Sequence, residues 1–211
     1  WTAGEVVSDE YSVPVDPGAP AGIYRLDVGL YQPVSGQMHP LALTSNGRTL
    51  DANSVLIASV KVGGPPPGVT VSQPSPSHAR ADRLGDLVTL IGYDLETQRD
   101  RLTLNLFWRC EAPMTIDYTT FVHVTTAGGG EIVGQMDGPP AGGKYPTSLW
   151  DVGEVIRDVV TVPLPEDLPG GGYEIRVGLY DAATGKRLPI VSEGAYEVQD
   201  PIVIYSLNPT W

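Results

Sequence analysis

Two pairs of carboxylates recur in this sequence at the same spacing. Glu154 and Asp158 lie four residues apart, and so do Glu5 and Asp9. Two carboxyl groups can share acid and base roles in glycoside hydrolysis when they lie about 5 to 9.5 Å apart. Four residues of extended strand span about 13 Å, so neither pair can do this alone if its segment is extended. We therefore interpret each Glu as a turn-closing residue and each Asp as a residue on a strand surface.

A calcium site is a second possibility, because carboxylate and carbonyl oxygens from sandwich loops can supply the six to eight ligands that Ca²⁺ takes. The calcium candidates are Asp137, Asp151, Glu154 and Asp181. No EF-hand spacing supports such a site. His39, His78 and His123 are scattered and show no spacing typical of a transition-metal site. The sequence thus predicts no metal and no cofactor.

Nucleophilic chemistry has equally little support. The chain has one cysteine, Cys110, with no sign of activation, and no G-x-S-x-G motif. Cys110 and Trp108 share one face of an alternating segment, which is typical of core residues. No catalytic residue is predicted.

Aromatic side chains offer a different chemistry, the stacking of sugar rings. Tyr31 and Tyr180 are predicted to lie on the face of their strands opposite the core, and Trp150 lies where a loop enters a strand, as does Trp1. Trp150, Tyr180 and Tyr31 are therefore the candidate ligand-binding residues. In the alternative interpretation, Trp150 plugs the end of a sandwich and Tyr180 packs under a loop. Recurrence favours that structural role, since both copies must fold but need not both bind.

This recurrence is part of an internal repeat. Residues 1–41 match residues 150–190 without a gap at a constant offset of 149, with 16 identities in 41 positions. A repeat of this kind has to be settled before the rest of the fold. The second copy follows a long segment, 84–149, that itself has the pattern of folded strands. We call 84–149 the front segment, and we expect about 65 equivalent residues before Trp1 in a parent protein.

Alternating apolar residues predict the elements that position these groups. In 173–180 the apolar residues Tyr173, Ile175, Val177 and Leu179 share one face, and 24–31 repeats the alternation, which is typical of half-buried strands. No window has a helical stripe of three turns. Further strands are predicted at 6–15, 55–62, 87–95, 102–110, 118–125, 131–136, 155–164 and 202–207.

The fold class that follows is all-β, an antiparallel, jelly-roll-like β-sandwich with one complete module and part of a second. Residues 63–83 are rich in Pro, Gly and Ser, which is typical of a linker. The predicted domains are therefore the second half of one sandwich at 1–62, this linker, and a complete sandwich at 84–207. A half sandwich exposes an apolar face and a strand edge, so we expect residues 1–62 to pack against the second module or another copy.

Composition limits the partners. The formal charge of −12 argues against binding to a phosphate backbone, so no nucleic-acid partner is expected. The single cysteine excludes an internal disulfide framework. The 25 Gly and 20 Pro residues, spread between short apolar alternations, fit many tight turns between strands.

Several sequence runs resemble a bacterial β-sandwich module. They are LIGYDL (90–95), LTLNLFWR (102–109), YTTFVHV (118–124), QMDGPP (135–140), YPTSLWDVGEVIRD (145–158) and YEIRVGLYDAATG (173–185). Similar modules occur, often in tandem, in the extracytoplasmic C-terminal part of membrane proteins similar to dolichyl-phosphate-mannose-type glycosyltransferases. The resemblance implies an extracytoplasmic location in a membrane-anchored parent. It transfers no functional residue, since nothing here matches the catalytic carboxylates of the membrane domain.

The sequence therefore predicts a non-catalytic accessory region of a cell-envelope protein, serving as a spacer or as a docking or substrate-presenting domain. The alternative is a carbohydrate-binding module that recognises glycans or a glycolipid through surface aromatics. A hydrolase built from scattered carboxylates is a third hypothesis.

Overall fold

The computed structural model describes residues 2–168, 171–192, 195–197 and 201–207. Sixteen strands account for nearly all of its regular structure, joined by tight turns and two short 3-10 segments, Pro140–Gly143 and Thr147–Leu149. In chain order the strands are β1 Gly22–Val28, β2 Tyr31–Val34, β3 Gln37–Pro40, β4 Thr44–Ser45, β5 Arg48–Thr49, β6 Val55–Val62, β7 His78–Leu84, β8 Val88–Gln98, β9 Arg101–Cys110, β10 Tyr118–Thr126, β11 Ile132–Gly138, β12 Val155–Pro163, β13 Tyr173–Asp181, β14 Ile190–Ser192, β15 Ala195–Glu197 and β16 Ile202–Leu207.

Two antiparallel sheets form a sandwich from residue 78 onward. One has the order β12-β9-β8-β7-β14-β15, and the other has the order β11-β10-β13-β16. The prediction of an all-β antiparallel sandwich is confirmed. Alternation places every second side chain of the long strands between the sheets, as in the fully buried Leu102, Leu104 and Leu106 of β9. Trp108 and Cys110 continue that buried row.

Part of the predicted linker belongs to the sandwich. The segment 78–84 forms β7, which pairs with β8 and with β14. Further upstream, Val71 N donates to the Val155 carbonyl and Arg157 N to the Val69 carbonyl, both at 2.9 Å, so 69–71 lines the outer edge of β12. Pro-, Gly- and Ser-rich composition predicts a semi-extended linker, whereas hydrogen bonds to the sandwich hold 69–71 and 78–83 in place.

The first repeat, a name we now use for the whole of 1–62, has a different organisation from the second repeat, 84–207. β1 and β6 form a two-stranded antiparallel sheet, and β2–β3 and β4–β5 are short hairpins. The prediction of a strand at 6–15 is wrong, because residues 5–16 have no strand structure and are exposed. The equivalent strand in the second repeat, β12, lies at the edge of its sheet and pairs with β9. The described residues of the first repeat provide no counterpart of β9, so the alternating segment lacks a partner for its backbone groups.

Candidate functional site

The recurring glutamates close the same turn in both repeats. Glu154 Oε2 accepts a hydrogen bond from Asp151 N at 2.9 Å, and Glu5 Oε2 accepts one from Thr2 N at 2.8 Å. Glycine precedes each glutamate with φ near 89° and 85°, a left-handed conformation that other residues adopt at a cost. In both copies the glutamate therefore acts in the turn, as the sequence suggested.

Asp158 is not on the surface. The prediction of a strand-surface aspartate is wrong for this copy, because the side chain is 2% exposed beneath the Pro140–Gly143 segment. Its carboxylate accepts hydrogen bonds from Thr120 Oγ1 at 2.8 Å and from Ala141 N at 2.9 Å. Burial raises the pKa of Asp158, although these two hydrogen bonds oppose the shift.

A pocket of about 370 Å³ borders Asp158, Met136 and Thr161. These two hydrogen bonds to the carboxylate come from the protein, and they join β12 to β10 and to the Pro140–Gly143 segment. Ala141 has φ of 53°, so the Asp158 carboxylate binds a backbone N–H in a conformation that a non-glycine residue rarely adopts. This geometry favours a structural role for Asp158.

The calcium candidates do not converge. Asp137 Oδ1 lies 3.1 Å from His123 Nε2, whereas Asp151 forms an ion pair with Lys61. Glu154 accepts a further 2.6 Å hydrogen bond from the Tyr145 hydroxyl. Asp181 binds its own turn through Ala183 N and Thr184 Oγ1. Within the described ranges, no group of three or more His, Cys, Asp or Glu side chains is placed to hold a metal ion.

The three candidate aromatics lie in different environments. Trp150 is buried, 3% exposed, with its indole N–H donating to the Tyr145 carbonyl at 2.9 Å, so it cannot stack on a ligand. Its predicted role as a sugar platform is therefore wrong, and the plug interpretation describes it. Tyr31 is exposed on the β2–β3 hairpin of the first repeat, and Tyr180 is half-buried on β13. Trp1 lies outside the described residues.

Tyr180 belongs to a cluster on the outer face of the four-stranded sheet, which we call the outer-face site. Its centre is Phe121, which points away from the core yet is only 1% exposed. The Phe121 ring lies over Gly178 on the neighbouring strand, where an added Cβ would come within 2.6 Å of it. The guanidinium of Arg187 stacks on the ring at 4.4 Å, and Tyr180 lies 6.2 Å from it.

Polar residues surround this aromatic centre. His123 lies 5.0 Å from Phe121, and its Nε2 lies 3.1 Å from Asp137. Burial and then the neighbouring Asp137 carboxylate raise the pKa of Tyr180, which keeps its hydroxyl protonated. The half-exposed Tyr180 ring can stack on the apolar face of a sugar ring, while the neighbouring carboxylate and guanidinium bind the hydroxyl groups of that sugar.

A second cluster joins the two repeats, and we call it the junction. Lys61 Nζ, at the end of β6, donates to the Leu149 carbonyl at 2.8 Å and to the Tyr145 hydroxyl at 3.0 Å. It also lies 2.6 Å from Asp151 Oδ2, and its side chain is 16% exposed. Burial and the hydrogen bond to Glu154 raise the pKa of Tyr145 far above its ordinary value, so its hydroxyl stays protonated and donates to Glu154.

Cys110 is buried and its thiol faces the Ala112 carbonyl at 3.3 Å. Burial raises the pKa of this thiol, which favours the unreactive protonated form.

Comparisons with protein-family models, curated proteins and solved structures find no match to the chain. Among the helical segments that the structure describes, none is long and apolar enough to cross a membrane.

Tyr180 is a candidate from the sequence alone, but its neighbours on the outer face are not. Phe121, Gly178 and Arg187 come together only through the pairing of β10 with β13 and the return of the chain after the 181–185 turn. The one available signal was Gly178 between apolar residues of a strand, since glycine within a strand often marks the close approach of another group. Lys61 had no signal in the sequence.

Proposed function

We propose that this chain is a non-catalytic accessory region of a larger cell-envelope protein, in which β-sandwich repeats act as a spacer with a defined junction. The observation that carries the proposal is the junction itself. A spacer transmits position only if successive units are fixed to one another. Here the Lys61 ammonium from the first repeat has three oxygen partners in the second.

Two further observations support a spacer. The 69–71 segment is hydrogen-bonded along β12, which shortens the free length between the repeats. Asp158, Glu154 and Tyr145, the polar groups that could have done chemistry, are bound to protein partners in the sandwich. The cell-envelope setting rests on the resemblance of the sequence runs to extracytoplasmic modules.

Distance measurements between spin labels test the spacer. Labels on Ser59→Cys in β6 and Glu131→Cys before β11 report the separation of the repeats, and buried Cys110 should resist labelling. We expect a narrow distance distribution that broadens in Lys61→Met, which keeps the side-chain length but removes the charge. A distribution that is already broad in the parent chain would contradict a spacer. Glycan hydrolysis lost on a single carboxylate substitution would contradict a non-catalytic role.

The outer-face site supports a second candidate, carbohydrate binding. Tyr180 presents part of a ring on a β-sheet face beside Asp137 and Arg187, which is a workable platform for one sugar ring. Tyr180 and Asp137 replace the earlier Trp150 and Tyr31 as the residues to test.

A glycan array separates the two candidates. If sugar binding is the function, binding is lost in Tyr180→Ala, weakened in Asp137→Asn and unchanged in Tyr31→Ala, since Tyr31 lies on a hairpin of the other repeat. Circular dichroism of Tyr180→Ala checks that the sheet survives. If no glycan binds the parent chain, or binding persists in Tyr180→Ala, the outer-face site is not a sugar site.

A further inference from the structure

A cavity with apolar walls lies in the first repeat. It has a volume of about 540 Å³ and is formed between the 11–16 segment, β1 and β6. Its apolar lining residues include Tyr11, Val13, Val15, Tyr24 and Leu26. Val13 is 65% exposed and Tyr11 79% exposed, so this apolar wall is open to solvent.

The internal repeat shows what this cavity corresponds to. Adding 149 relates the five lining residues to core residues of the second repeat, namely Val160, Val162, Leu164, Tyr173 and Ile175. All five are less than 9% exposed. The cavity therefore occupies the place that the hydrophobic core has in the complete sandwich.

The second repeat also shows what fills that place. Val160 and Val162 lie opposite Leu104 and Leu102 of β9, and Ile175 lies opposite Val124 of β10. Both strands belong to the front segment, 84–149. In the first repeat, β1 pairs with β6 as β13 pairs with β16, but within the described residues no strand takes the place of β10 beside β1. An open strand edge next to an apolar wall calls for a partner that supplies both backbone hydrogen bonds and apolar side chains.

Stoichiometry excludes the chain's own front segment as that partner. The chain has two back halves, 1–41 and 150–190, but one front segment, which is already built into the second repeat. A second copy that donated its front segment would uncover its own core, since buried Leu102, Leu104 and Val124 would leave it. The partner therefore has to be an additional segment.

We propose that the face lined by 11–15, β1 and β6 is a docking surface for a polypeptide equivalent to the front segment. Its strands take the places that β9 and β10 have in the second repeat, and the 6–15 segment becomes a strand on binding. This inference concerns the first repeat and holds or fails independently of the junction and the spacer role.

The test adds a second copy of 84–149 in front of Trp1, which joins Leu149 to Trp1 as it is naturally joined to Trp150. Hydrogen exchange is followed for the amides of β1, with those of β13 as the folded reference. We expect exchange in β1 to slow on the order of 100-fold, because opening then requires the unfolding of a complete sandwich. The matched control carries Leu104→Asp in the added copy alone, and its β1 amides should exchange as fast as those of the parent chain.

A substitution on the docking surface gives an independent readout. Leu26→Asp should have little effect on thermal unfolding of the parent chain but should abolish the new protection in the extended chain. The proposal is overturned if β1 exchanges as fast in the extended chain as in the parent, whether or not β13 stays protected. It is also overturned if light scattering shows a dimer of the parent chain with β1 already protected, since a second copy would then be the occupant.

Discussion

Single carboxylates of the sandwich lie in opposite environments. Burial raises the pKa of Asp158, so the folded chain holds this proton at pH values where the unfolded chain has released it. Hydrogen bonds from Thr184 and Ala183 lower the pKa of half-buried Asp181, so the folded chain releases that proton first. The two residues should therefore contribute to stability with opposite dependence on pH.

The first prediction follows from these signs. As the pH rises from the ordinary aspartate pKa to the raised pKa of Asp158, the wild type loses free energy of unfolding. Asp158→Asn has no such loss, so its stability rises relative to that of the wild type. Asp181 stabilises the folded chain above the ordinary aspartate pKa, and this stabilisation is lost as the pH falls through its lowered pKa. Asp181→Asn should therefore be less stable than the wild type at neutral pH and equally stable in acid. Urea unfolding between about pH 3 and pH 8 measures both. Parallel pH profiles for the two variants would refute the assignment.

The second prediction concerns the outer-face site. Gly178→Ala places a methyl group within 2.6 Å of the Phe121 ring, which is held from above by Arg187. We expect a loss of about 1–3 kcal/mol in the free energy of unfolding, the usual cost of overpacking. Gly138→Ala on β11 of the same sheet is the control, because its added Cβ meets nothing within 4 Å. Equal effects in chemical denaturation would show that Phe121 is free to move aside.

At the scale of elements, the two repeats form a natural comparison. β12 and the 6–15 segment share an alternating pattern, but only β12 has a neighbouring strand. We predict that Val162→Ala costs about 1.5–3 kcal/mol, since Val162 is fully buried. Val13→Ala, its equivalent, should change the unfolding free energy of the sandwich by less than about 0.5 kcal/mol. A similar loss in both variants would mean that the 6–15 segment is packed in solution.

The same comparison explains what the sequence could predict. Period-two alternation located β8, β9, β10, β12, β13 and β16, because those strands have both a core and a ladder partner. It also located β6, which pairs with β1 although most of its side chains are exposed. It misplaced 6–15, since alternation reports a preference for one buried face and not the presence of a partner. It missed β7, a strand with several charged residues that lies between β8 and β14 and directly follows a Pro- and Ser-rich segment.

Of the site, the sequence could supply residue types but not their neighbours. The burial of Asp158 depends on the Pro140–Gly143 segment, whose three residues with positive φ, Ala141, Gly142 and Gly143, let it close over β12. The junction depends on contacts of Lys61 with Tyr145 and Leu149, which lie 84 and 88 positions further along the chain. Such long-range contacts have no local periodicity from which to infer them.

At the scale of the whole molecule, the repeats should differ in their resistance to protease, with the junction as the boundary. Arg48 lies in the exposed β4–β5 hairpin, whereas the Lys61 side chain is enclosed by the second repeat. Trypsin should therefore cleave after Arg48 well before Lys61. Asp151→Ala removes one partner of the Lys61 ammonium and should cost the junction about 1 kcal/mol. Because cleavage follows the population of the opened state, cleavage at Lys61 should become about fivefold faster. Timed digests analysed by mass spectrometry give both rates, and Glu131→Ala, an exposed carboxylate in the loop before β11, is the control. If Asp151→Ala speeds cleavage at Arg48 as much as at Lys61, the substitution acts on the chain as a whole and the junction does not hold the repeats together.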